Sequence, residues 1–223
     1  TRPRRFGKTL GMSMLASFFD IRKDSSALFQ GLEILQDQDL CAKWMNQWPT
    51  LFLSFKDIDG PDFVSAKEML QERIAKLCKT HRYLASSDRV DKNDCKIFEK
   101  LADLVDGHPT DAMLKISISL LMQMMRDHFG KPVILLIDEY DVPLAKASSN
   151  GYYPEMLGIL KSLLSTALKD NDALQFAVVT GCLRIAKESI FTGTNNFVSD
   201  TISSTSLNEY FGFTQAEIDR ILS

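Results

Sequence analysis

Few residues of this chain are suited to holding a transition metal or closing a covalent framework. Its 223 residues include three histidines and four cysteines. Cys41, Cys78, Cys95 and Cys182 are scattered, with no C-x-x-C spacing and no histidine pair nearby, which argues against a zinc site or a disulfide scaffold and fits a reducing cytoplasm. His81, His108 and His128 stand far apart in segments with helical patterning and read as surface or capping residues. A dominant charge is also missing. The net charge of −3 gives no global attraction to nucleic acid or to an anionic membrane, so such a contact would need a local patch. No apolar run approaches the roughly 20 residues of a membrane span, and no signal peptide, internal repeat or low-complexity linker is visible. What is present is an ordinary globular composition, 45% hydrophobic, enough for a substantial core in one large domain or two small ones.

Against that background one segment stands out. The chain opens Thr1-Arg2-Pro3-Arg4-Arg5-Phe6-Gly7-Lys8-Thr9 and runs into Leu10, Met12, Met14, Leu15, Phe18 and Phe19, an apolar face at helical spacing. A Gly-Lys-Thr loop at a helix start is suited to phosphate: backbone N–H groups face the anion, the lysine reaches the outer phosphates, and the threonine hydroxyl can ligate Mg²⁺. Arg2, Arg4, Arg5 and Lys8 form the local basic patch, with triphosphate as its natural counter-ion. The pattern is incomplete, because Arg2 stands where a full G-x-x-x-x-G-K-[ST] has glycine, and the strand that should precede the loop is absent from the sequence.

Its counterpart is Val133-Ile134-Leu135-Leu136-Ile137-Asp138-Glu139-Tyr140-Asp141. The apolar run opened by Lys131-Pro132 predicts a strand buried on both faces of a parallel sheet. Acids at the C-terminal end of such a strand lie where an open α/β sheet places its ligand. Asp138 then suits Mg²⁺, and Glu139 suits orienting and deprotonating a water.

Between the two motifs, a short helix is predicted around 37–47 and a strand over 50–55. Helices follow over roughly 62–83, 91–105 and 110–129, broken at Ser86-Ser87-Asp88 and at Asp106-Gly107-His108-Pro109. Met122, Met124 and Met125 read as core packing. A loop containing Ser148-Ser149-Asn150-Gly151 leads to a helix over about 154–169, then a strand over 174–180 and a short strand at 199–204. A capping box from Thr214 to Glu217 opens a last helix. The expected fold class is a three-layer α/β/α P-loop architecture with a mostly parallel sheet and right-handed crossovers, and a helical insertion at about 62–129. Strand 174–180 is expected to lie between the acidic strand and the strand belonging to the phosphate loop. An ATPase core over 1–205 and the start of a helical lid over 206–223 are the expected domains.

These segments resemble the bacterial and archaeal AAA-ATPase-like family, in the STAND-type branch of P-loop ATPases. The matching stretches are Arg2 to Leu10, Leu136 to Asp141, Thr180-Gly181-Cys182-Leu183-Arg184-Ile185-Ala186-Lys187-Glu188-Ser189, Ile190 to Asn196, and Tyr210-Phe211-Gly212-Phe213-Thr214. The arginine-rich loop is similar to the family's own version. The resemblance implies ATP and Mg²⁺ as cofactors, with Arg4, Arg5, Phe6, Gly7, Lys8, Thr9 and Leu10 at the nucleotide, and Thr9 and Asp138 at the metal. It implies Glu139 as the base and Thr180 at a sensor position facing the water or the terminal phosphate. Arg184 either stabilises charge on the transferring phosphoryl group, in cis or across a subunit contact, or pairs with Glu188 one turn on. Asn195-Asn196 is either a turn or a nucleotide contact. Longer members carry a C-terminal PD-(D/E)xK nuclease-like domain, which would lie beyond Ser223 and could bring a nucleic-acid or protein partner. Pro61-Asp62 and Lys67-Glu68 have the wrong order for a nuclease site here. The leading expectation is an ATP-hydrolysing switch or motor for such an effector. The alternative is a non-hydrolysing interaction module that uses the helical insertion, and the oligomeric state is left open.

Overall fold

A computed structural model describes residues 7–104, 107–182, 198, 200 and 215–222. Its centre is a parallel sheet of three strands, β1 (Thr50–Ser54), β2 (Val133–Asp138) and β3 (Leu174–Val179), in the order β1-β2-β3. Every residue of β2 is buried, which is why it reads as an unbroken apolar run. Side chains alternate between the two faces of the sheet. Val133, Leu135 and Ile137 join the larger core, with α3 (Phe63–Thr80), α4 (Lys92–Ala102), α5 (Asp111–Phe129) and α7 (Tyr153–Leu168). Ile134 and Leu136 face the opposite layer, where Met12 and Ala16 of α1 (Lys8–Phe19) meet Phe52, Phe176 and Val178. The chain is thus a mixed, three-layer α/β/α structure of P-loop type.

The predicted helical insertion is built as expected, and each helix start carries its cap. The carboxylate of Asp62 accepts from Ser65 N–H at 2.8 Å, that of Asp91 from Asn93 N–H at 2.7 Å, and the Thr110 hydroxyl from Met113 N–H at 3.3 Å. Met122, Met124 and Met125 are fully buried, as their spacing implied. Helix α5 ends on Gly130, whose φ of 70° supplies the left-handed cap. The short helix at 37–47 is α2 (Gln38–Trp44).

One stretch differs from its sequence reading. The expected loop before α7 contains a helix, α6 (Val142–Asn150). Pro143 sits in its first turn and Gly151, at φ 85°, ends it, an N-terminal proline and C-terminal glycine that together delimit a short helix. Two histidines that are far apart in sequence both approach the Tyr83 ring, with centroids at 6.0 Å for His81 and 5.3 Å for His128. His81 follows α3 and is 2% exposed, with Nδ1 at 3.0 Å from the Leu77 carbonyl, while His128 Nδ1 lies 2.8 Å from the Ser87 hydroxyl.

Strand β3 is less buried than β2. Among the described residues it pairs with β2 alone, so the expectation that it lies between two motif strands concerns a strand outside the described residues. Of the short strand expected at 199–204, all but residue 200 also falls outside them. The terminal helix α8 (Gln215–Leu222) is described and has no buried residue.

Candidate functional site

The alternation that buries β2 also builds the site. Ile134, Leu136 and Asp138 share one face, as do Phe176, Val178 and Thr180 next door and Phe52 and Ser54 on the other side. Ser54 is in register with Asp138, and Ile137 with Val179, which places Thr180 beside Asp138. At the C-terminal edge of the sheet, each strand therefore turns from apolar to polar on the face that carries α1, where the N-terminus of that helix lies.

There the two motifs meet. Thr9 Oγ1 donates to Asp138 Oδ2 at 2.8 Å across a sequence separation of 129 residues, and Thr180 Oγ1 donates to Asp138 Oδ1 at 2.5 Å. Asp138 is completely buried, and a carboxylate in such a place is tolerable because both oxygens accept hydrogen bonds. Lys8 is 8% exposed, and its Nζ lies 3.2 Å from Cys182 Sγ. Gly7 precedes α1 with φ 71° and ψ 11°, a left-handed conformation that suits glycine, and its carbonyl accepts the first helical hydrogen bond, from Gly11 N–H at 2.8 Å.

Glu139 leaves the strand in an unusual way. Its φ of 55° puts a non-glycine residue in the left-handed region, a conformation that costs about 1–3 kcal/mol and tends to mark functional sites. Val142 N–H closes the turn onto the Glu139 carbonyl at 3.1 Å, and the side chain lines the cavity beside Gly7, Lys8 and Thr9. Tyr140 is buried, and burial together with the charge of Asp141 pushes its phenol up to about 12, so it stays protonated at neutral pH.

Gly7, Lys8, Thr9 and Glu139 line a cavity of about 620 Å³ that also receives Leu10, Lys56, Asp141, Val142, Ala145, Lys146 and Cys182. The sequence reading gave no role to Ser54, Lys56, Lys146, Cys182 or Asp141. Lys56 follows β1, and Lys146 lies on α6, the helix that was read as a loop; its Nζ is 2.7 Å from Asp59 Oδ2. Ser54 had a signal, since it ends the apolar run of β1, whereas Cys182 lies three residues past the end of β3. The lysines had none, because only the fold brings them to the rim. Arg4, Arg5, Phe6, Arg184 and Asn195-Asn196 lie outside the described residues. Leu10 is 67% exposed at the mouth.

A divalent cation is what the family resemblance implies, and the residues present can be tested against it. No cluster of three or more His, Cys, Asp or Glu side chains suited to a metal occurs among the described residues. Mg²⁺ is commonly held by one or two protein oxygens together with substrate phosphates rather than by an all-protein cage. Thr9 and Asp138, already 2.8 Å apart, supply hard oxygen donors of the right kind.

A Gly-Lys-Thr helix start beside a buried strand-end acid, on a three-layer α/β/α sheet, is the arrangement of a P-loop-type fold. The chain matches the AAA-ATPase-like family, described as predicted AAA-ATPase, over residues 1–191 and belongs to that family. It is also 26% identical over 227 aligned residues to an uncharacterized protein in the vnfD 5′ region of Azotobacter chroococcum mcd 1, an alignment that covers 100% of this chain and 37% of that protein. The chain thus spans little more than a third of that relative's length. No solved structure gives a significant match. No helix among the described residues is long and apolar enough to cross a membrane.

Proposed function

We propose that this chain binds ATP with Mg²⁺ and hydrolyses it slowly, and that the bound state sets the position of an effector region elsewhere in a longer protein. The observation that carries this reading is the 2.8 Å contact between Thr9 and Asp138, which joins the phosphate-loop threonine to the strand-end acid. In this reading the N–H groups at the start of α1 and the Lys8 ammonium hold the β- and γ-phosphates. Thr9 and Asp138 hold Mg²⁺, whose bound charge would offset that developing on the phosphoryl oxygens. Thr180 fixes the Asp138 carboxylate by its hydrogen bond. Glu139, turned into the cavity by its left-handed backbone, orients the attacking water and takes its proton. Arg184 is retained as the candidate for charge stabilisation on the transferring group. The effector role draws on the length of the Azotobacter relative, and a nuclease-like domain is its proposed form.

Glu139→Gln in the full-length protein tests the chemistry. Its hydrolysis rate is expected to fall about 10²- to 10⁴-fold, while nucleotide binding persists. Binding is read separately by thermal shift, since ligand at a hundred times its Kd adds about 2.7 kcal/mol of stability. Equal turnover in the variant and the wild type would remove Glu139 from its role. No shift with ATP and Mg²⁺ would favour an interaction module without nucleotide.

A further inference from the structure

The turn after β3 is held against the turn after β2 by contacts that lie beyond the paired strands. Tyr140 N–H donates to the Thr180 carbonyl at 3.2 Å, and Cys182 N–H donates to Asp141 Oδ2 at 2.9 Å across 41 residues. Asp141 stands at the N-cap of α6, where an aspartate ordinarily accepts from its own helix, yet its side chain makes no capping hydrogen bond. It is 3% exposed. Between the two bonded residues lies Gly181, and the fit is close: a Cβ there would stand 2.6 Å from Tyr140 Cε1 and 2.7 Å from Asp141 Oδ1. Only glycine allows the two turns to come this near.

What the clasped turn carries explains why its position matters. Thr180, on one side of Gly181, binds the Asp138 carboxylate, and Cys182, on the other, lies 3.2 Å from the Lys8 ammonium. One short turn therefore touches both the acid and the lysine on which the proposed triphosphate site depends. We propose that Asp141 is a positioning residue for phosphoryl transfer: through Cys182 N–H it holds the 180–182 turn in register, so that Thr180 and Cys182 keep Asp138 and Lys8 in place. The inference rests on the triphosphate reading above and adds to it a residue that acts through the backbone N–H of Cys182.

The test uses the full-length protein with ATP and Mg²⁺, and variants Asp141→Ala, Asp141→Asn and Gly181→Ala. Asp141→Ala is expected to lower kcat about 10- to 100-fold, the usual cost of removing a group that orients a functional ligand, with much less change in nucleotide Kd. Asp141→Asn keeps an oxygen acceptor for Cys182 N–H and recovers most of the rate. Gly181→Ala opens the clasp from the other side and lowers kcat likewise, and the Asp141→Ala, Gly181→Ala double variant is no worse than the poorer single one, as expected for changes that break one shared contact. A second readout needs no nucleotide. N-ethylmaleimide labelling of Cys182, followed by mass spectrometry of its peptide, accelerates in Asp141→Ala and stays at the wild-type rate in Asp141→Asn. Wild-type turnover in Asp141→Ala, equal loss in the Asn and Ala variants, or unchanged labelling overturns the proposal. If the wild type neither binds nor hydrolyses ATP, the triphosphate reading fails by itself, and the labelling rates still decide whether Asp141 holds the turn.

Discussion

The two ends of α1 sit in opposite surroundings. Its first turn enters a cavity of about 620 Å³ edged by Lys8, Glu139, Asp141, Lys56 and Lys146. Its last turns line an apolar groove of about 460 Å³ with Phe29, Trp44 and Phe176. At the apolar end, rings meet edge to face: Phe18 is 5.3 Å from Phe29 and Phe19 is 5.8 Å from Phe176. That end is closed off by polar groups that satisfy the backbone, with Asn46 Nδ2 donating to the Ser17 and Asp20 carbonyls at 3.1 Å. The polar end has no side-chain cap, which leaves its N–H groups facing the cavity where an anion can use them. One helix thus keeps its anchoring and its chemistry apart, and the two can be disturbed separately.

The largest effect is expected at the apolar end. Phe18 is 6% exposed and packs on both Phe19 and Phe29, so Phe18→Ala should destabilise the protein by about 3–5 kcal/mol in chemical denaturation. If the separation holds, nucleotide Kd in the folded variant stays close to the wild-type value. A large parallel loss of affinity would show that the aromatic anchor also tunes the phosphate loop.

A smaller effect should appear just beyond the same end. Asp20 caps α1 and pairs with Arg22, whose guanidinium lies 5.8 Å from the Tyr83 ring, near His81. Burial pushes the His81 imidazole down to about 4, with the Arg22 charge adding to the shift and the Leu77 carbonyl and Asp20 opposing it. Below its ordinary value near 6.5, the unfolded chain takes up a proton that the folded one refuses, so stability falls as pH drops from about 6.5 to about 4, by a total of about 3 kcal/mol. Urea unfolding across that range, compared with His81→Leu, isolates this slope from those of the carboxylates. A variant with the same slope as wild type would show that His81 is not its source.

Legibility in the sequence follows the same division. The site's two poles, Gly7-Lys8-Thr9 and Asp138-Glu139, were readable because each is a local pattern: glycine, lysine and threonine at a helix start, and acids ending an apolar strand. The register that unites Ser54, Asp138 and Thr180 is also implicit in the alternation of each strand, once the pairing is known. The rim lysines were not readable, since Lys56 and Lys146 come from segments that only the tertiary fold brings to one cavity. Helix α6 itself was hidden by Ser148-Ser149-Asn150-Gly151, which favours a turn locally. Its burial of Leu144 and Ala147 in the core outweighs that preference. Asp141 was visible as a letter of the acidic motif, but its job depends on a contact 41 residues away.

The polar end offers the smallest and most selective change. Gly7 is left-handed at φ 71°, and a Cβ added there would meet no atom of the other described residues within 4 Å. Gly7→Ala therefore introduces no clash, only the conformational cost of an L residue in that region, about 1–2 kcal/mol. If the folded protein bears that cost as strain, it appears in the unfolding free energy and nucleotide Kd is unchanged. If the loop relaxes out of the left-handed region, the N–H groups at the start of α1 turn away from the cavity and the same cost appears as a loss of affinity of about tenfold, equivalent to 1.4 kcal/mol. The second outcome is expected, because the N–H groups that follow Gly7 take their direction from its left-handed conformation. Equilibrium titration with ATP and Mg²⁺ beside denaturation of the same variant tells them apart, and a loss of stability with unaltered affinity would show that the geometry of this loop belongs to the fold rather than to the phosphate.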